Sequence, residues 1–184
     1  MALTTPTDLI CVDLALGWQS GRNLSFDRQP IQEATSNAVR YWNGEADDWT
    51  DDEFQDVYEY TISSGDGEMR NPAFSRMRIG QKFNIVLPHE HVDFIATGGT
   101  VRTLRRTPHS SYLRVVDTEW NDVTFIVVGA VVTLSAPAVR PVNIFYRSED
   151  YVILKSWRDG LAEGKGDTSW TLTCADVQQG GAGP

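Results

Sequence analysis

Apolar residues recur with a period of two over most of the second half of the chain, which is the spacing of strands with one buried face. Met77, Ile79, Phe83, Ile85 and Leu87 alternate over one long extended stretch, with Gly80 at an expected bulge. Val92–Ala96, Val101–Arg106 and Ser111–Val116 follow, separated by the Gly98-Gly99 turn and by Pro108. Val123–Leu134 is almost continuously apolar and β-branched, interrupted around Gly129, and predicts strands buried on both faces. Val142–Arg147, Tyr151–Trp157 and Ser169–Cys174 complete nine or ten short strands at intervals of about 8 to 12 residues, the signature of a sandwich or barrel.

The first 70 residues are less regular. Ile10, Val12, Leu14 and Leu16 share one side of a predicted half-buried strand. Pro30 opens a segment in which Ile31, Ala34, Ala38 and Tyr41 or Trp42 fall on one helical face, with Gly44 as a stop. Thr50 and Glu53 have capping-box spacing, predicting a helical turn that leads into a strand around Tyr58–Ile62. Ser63–Gly67 is a turn cluster. The expected fold is therefore an all-β antiparallel sandwich of jelly-roll kind, or a barrel, with a short N-terminal helix. Residues 1–70 form a strand, helix and acidic arm, 71–176 the core domain, and 177–184 a Gly-rich tail.

Composition fits one main core. The chain has 184 residues, 41% hydrophobic, enough for one buried core and too few for two independent ones. Two cysteines, Cys11 and Cys174, exclude a dense disulfide framework. No apolar run reaches the ~18 residues of a membrane span, and Leu9–Leu16 lacks the basic flank of a signal peptide, so a soluble protein made in the cytoplasm is expected.

Charge changes the picture most. Residues 41–69 hold ten acidic side chains and no Lys or Arg, whereas 70–114 hold eight basic side chains against two acidic ones. The sign changes near the Ser63–Gly67 turn. Such blocks pair within a subunit or join one copy to the next. Asp47, Asp48, Asp51 and Asp52, with Trp42 and Trp49 among them, form the candidate acidic contact surface; Arg102, Arg105 and Arg106 form its basic counterpart. Arg outnumbers Lys seven to one in the basic block, which suits bidentate pairing with carboxylates. Replacing these three arginines is expected to weaken assembly at little cost to the subunit. A net charge of −9, and Tyr112 as the only aromatic between Arg102 and Arg114, disfavour nucleic acid as a partner.

Candidate chemistry is sparse. His89 and His91 fall on one side of a strand, with His109 beyond, and this His-x-His pair resembles the ligand set of cupins, without the acidic ligand at the cupin offset. A metal-dependent β-barrel enzyme is the alternative this pair implies. The acidic run lacks the spacing and central Gly of a calcium loop. No nucleophile elbow, phosphate loop, dinucleotide fingerprint or Cys-x-x-Cys pair occurs, so no catalytic residue, metal or cofactor is assigned. Tryptophans at 18, 42, 49, 120, 157 and 170 offer a sugar-stacking platform as a further alternative. A strand-rich block with a long arm, a Gly-rich tail and segregated charge resembles a virion structural component such as a capsid, decoration or head-to-tail joining protein. That resemblance implies a non-enzymatic subunit, assembled in a host cytoplasm, whose partners are copies of itself and other structural proteins of the particle.

Overall fold

The structure, a computed structural model, describes residues 8–16, 20–21, 23–31, 38–40, 46–48, 57–64 and 70–177. Among these the fold is all-β with antiparallel sheets, as the sequence pattern predicts. The strands are β1 (Ser25–Pro30), β2 (Ala38–Arg40), β3 (Ala46–Asp48), β4 (Tyr58–Ser63), β5 (Lys82–Val86), β6 (His91–Ile95), β7 (Val101–Thr103), β8 (Pro108–Asp117), β9 (Phe125–Val128), β10 (Val131–Leu134), β11 (Val142–Ala162) and β12 (Asp167–Asp176). The chain divides into two compact units, Met1–Asn84 with Tyr151–Pro184, and Ile85–Asp150.

In the first unit the sheet order β1-β4-β12-β11 follows from alternation in each strand. Tyr60 and Ile62 of β4 and Thr168, Trp170, Leu172 and Cys174 of β12 are buried, while the residues between them are less so. Ile62 lies opposite Leu172, so like side chains meet across the ladder. Phe74, on a 3-10 turn at Phe74–Arg76, stacks on Trp157 (centroids 5.1 Å apart) and meets Trp170 edge-on at 5.7 Å. The Trp170 indole N–H donates to the Ser20 carbonyl at 3.2 Å, so the buried ring leaves no orphan donor. The expected arm thus contributes β1 and β4 to this sheet.

The second unit packs two sheets around one core. On one side β6 and β8 flank the first half of β11; on the other the order is β7-β10-β9. Ile95, Leu104, Val115, Val132, Leu134, Ala138, Val142, Ile144 and Tyr146 fill the space between them. Full burial of each larger side chain is worth roughly 1.5 to 3 kcal/mol.

Several expectations are corrected. Of the helix expected over 31–44, Ala38–Arg40 form β2 instead, paired with β3, while 32–37 and 41–45 lie outside the described residues; no helix longer than the 3-10 turn occurs among the described residues. The helical turn after Thr50, residues 65–67 of the Ser63–Gly67 turn cluster and residues 178–184 of the Gly-rich tail lie outside the described residues. Leu9–Leu16 is not a strand with Ile10 and Val12 inward. Val12–Ala15 turn, closed by the Ala15 N–H to the Val12 carbonyl at 3.1 Å, so Leu9, Cys11 and Leu14 are buried while Val12 is exposed. The extended stretch through Met77–Leu87 is broken by a turn at Arg78–Gln81, where the Gln81 N–H reaches the Arg78 carbonyl and Gly80 takes φ +85°. Finally, Val142–Arg147 and Tyr151–Trp157 are one strand, because Ser148 and Asp150, which resemble turn residues in sequence, continue the inward alternation.

Candidate interaction surface

The outer face of β7-β10-β9 is the most unusual surface of the second unit. Register places Thr103, Val131 and Val128 in one row across the three strands, and Val101, Thr133 and Ile126 in the next. All six are exposed, Ile126 by 66% and Val128 by 74%. None carries charge. The opposite face of the same strands supplies Val132, Leu134, Phe125 and Val127 to the core. Val123–Leu134 is therefore not buried on both faces, as its composition predicts; it is buried on one and leaves β-branched side chains in solvent on the other. An antiparallel sheet with one solvated face ordinarily alternates apolar with polar residues, and a contiguous apolar patch marks a contact surface.

A second, aromatic patch lies on the outer side of the other sheet. Val92 and Phe94 of β6 are exposed, and Trp120, 65% exposed, stacks on Phe145 with centroids 5.7 Å apart. The loop that presents Trp120 is tied down by Asp117. Its carboxylate accepts the backbone N–H groups of Glu119 (2.8 Å) and Asn121 (2.9 Å) and the Asn121 side-chain amide (3.0 Å). The Asn121 amide, foremost, holds the Asp117 carboxyl below the usual aspartate range. Trp120 itself takes φ +66°, a left-handed conformation costly for a bulky side chain.

The arginines proposed as contact residues are engaged within the chain. Arg102 donates through Nε and a terminal nitrogen to Asp93 Oδ1, each at 2.7 Å, and Asp93 is buried. Arg106 pairs with Asp150 at 2.6 Å, with side chains 15% and 5% exposed, and the Ser148 hydroxyl donates to the same oxygen at 2.7 Å. Arg105 is exposed and also has an interaction within the structure. Arg114 pairs with Asp122 at 3.0 Å in the open. The partners Asp93, Asp122 and Asp150 all lie outside the acidic block, whose Glu59 pairs instead with Lys155 of the first unit. Asp47 and Asp48 lie in β3; Trp42, Trp49, Asp51 and Asp52 lie outside the described residues.

The histidines do not converge. His91 stacks on Tyr146 at 5.4 Å, and His109 sits beside Tyr112 at 5.5 Å, accepting the Ser111 N–H at 3.4 Å. Among the described residues no group of three or more His, Cys, Asp or Glu side chains is placed to hold a metal ion. The Tyr146 phenol is pushed up, chiefly by burial. Of the described tryptophans, Trp170 is buried and Trp157 half-buried, leaving Trp120 as their exposed member. Sequence reasoning missed Val101, Ile126, Val128 and Val131 as surface residues; the signal was present as a 12-residue run, Val123–Leu134, without a charge. Comparisons with protein-family models, with curated proteins and with solved structures give no significant match.

Proposed function

We propose that this chain is a non-enzymatic structural subunit that works through contacts with copies of itself and with other structural proteins of a self-assembling particle, a virion component being the kind its organisation resembles. The observation that carries this reading is the uncharged outer face of β7-β10-β9, with Val101, Ile126, Val128 and Val131 in solvent. Such a face is costly to leave wet and serves a purpose when another surface covers it. Because Arg102, Arg106 and Arg114 are paired within the chain, apolar burial is the driving term and charge steers the approach.

Light scattering over a range of protein concentration and salt tests this. Association that persists or strengthens in high salt supports it, since screening weakens charge pairing and leaves apolar burial intact. Association abolished by salt would assign the contact to the charge blocks instead. A strictly monomeric protein that also fails to bind other components of its source particle would end the proposal.

A further inference from the structure

The backbone directions in β9 say more about the contact than its side chains do. The Leu134 N–H donates to the Thr100 carbonyl and the Leu104 N–H to the Ala130 carbonyl, so the even-numbered residues of β10 direct their backbone groups toward β7. Val131 and Thr133 then face β9, where their register partners are Val128 and Ile126. In an antiparallel pair a residue turns both its N–H and its C=O to the same neighbour. Phe125 and Val127 therefore turn theirs away from β10. The Ser135 N–H on the Thr124 carbonyl and the Val123 N–H on Val115, across the opposite edge, fit the same alternation. Beyond Val123, β9 pairs with no second strand among the described residues.

Shortness is the one sequence-level defence this edge has. Natural edge strands are also protected by a charge, a Pro or a bulge; four-residue β9 reads Phe-Ile-Val-Val, with no charge, no Pro and no bulge in its register. Resting on the assembly reading above, we infer that β9 pairs antiparallel with β9 of a second copy about a two-fold axis at Ile126. In that register the outward backbone groups of Phe125 meet those of Val127 of the second copy, and the reverse, giving four inter-chain hydrogen bonds. Ile126 faces Ile126 of the second copy as a non-hydrogen-bonded pair, the closer kind, at about 4.5 Å between Cα atoms.

A second copy is the occupant for two reasons. Two-fold antiparallel pairing is self-complementary for any edge, and two chains of net charge −9 repel except where they present none. The register places Thr124 opposite Val128 and Val123 opposite Gly129, so no charge meets a like charge. Pairing also joins two three-stranded sheets into one of six, doubling the uncharged outer face. A four-residue edge buries less than the ~800 Å² per partner of a standard stable interface, so the pair is weak and concentration-dependent.

Site-directed cross-linking tests this. In Ile126→Cys the paired sulfurs come within disulfide reach, since a Cα separation of about 4.5 Å lies inside the permitted range. In Val101→Cys, on the same face but two strands away, they stand roughly 20 Å or more apart. Mild oxidation at a concentration where the wild type associates is expected to yield a reducible dimer from Ile126→Cys and none from Val101→Cys or the wild type, whose own cysteines are buried. Association without a cross-link at position 126, or equal cross-linking at 101, overturns edge pairing and leaves the assembly reading standing. No association of the wild type at any concentration defeats edge pairing, and defeats the assembly reading as well if the protein also binds no other component of its source particle.

Discussion

Removing Arg106 separates a fold-building role for the basic block from a contact role. Its guanidinium lies 2.6 Å from Asp150 Oδ1, and the carboxylate is 95% withdrawn from solvent, with the Ser148 hydroxyl on the same oxygen. Arg106→Met keeps most of the stem and deletes the charge, stranding a buried carboxylate. Breaking a buried pair in this way costs about 3 to 5 kcal/mol; because Ser148 still donates, we expect about 3 kcal/mol. Arg106→Met with Asp150→Leu removes both charges and should recover most of that loss, a coupling of at least about 2 kcal/mol in a double-mutant cycle. Arg114→Met is the control: that pair, with side chains 58% and 74% exposed, should cost under about 1 kcal/mol. Urea unfolding followed by far-UV circular dichroism measures these three variants beside the wild type, with Asp150→Leu alone closing the cycle. A loss for Arg106→Met no larger than for Arg114→Met, with no recovery in the double variant, would refute the assignment of Arg106 to the fold.

Other consequences can be checked separately. Phe74→Ala removes the ring stacked on Trp157 and set against Trp170, and should cost about 3 to 5 kcal/mol in denaturant unfolding while shifting native tryptophan fluorescence. Burial pushes the Cys11 thiol up to about 11, so it should resist alkylation at pH 8 in the folded protein and react fully in denaturant. The folded-state pKa of Asp117 is depressed, so its contribution is complete above the ordinary aspartate value of about 3.9. It is lost as pH falls through the lower folded value. Trp120 emission should therefore shift red in that acid window, and Asp117→Ala should show the shifted spectrum already at pH 7.

Much of the strand layout is legible in sequence because one-sided burial writes a period of two. β6, β9, β10 and β12 fall where Val92, Phe125, Val131 and Trp170 mark them. The failures have physical causes. Ser148 and Asp150 look like a turn, and only the distant Arg106, which satisfies the carboxylate, lets them stay inside a strand. Leu9, Cys11 and Leu14 break period two because a turn intervenes. Composition could not tell a doubly buried Val123–Leu134 from a strand pair with one apolar face in solvent, although that difference is the candidate site itself. Segregated charge suggested an interface, yet the described arginines found carboxylates outside the acidic block.

The central claim is that the uncharged face and edge of β7-β10-β9 join subunits. Sedimentation velocity of the wild type beside a Val101→Lys/Val128→Lys variant tests it most directly, since both positions are exposed and substitution there should change subunit stability by no more than about 0.5 kcal/mol. The account predicts concentration-dependent association of the wild type and a monomer of unchanged melting temperature for the variant. A variant that associates as the wild type does would contradict it.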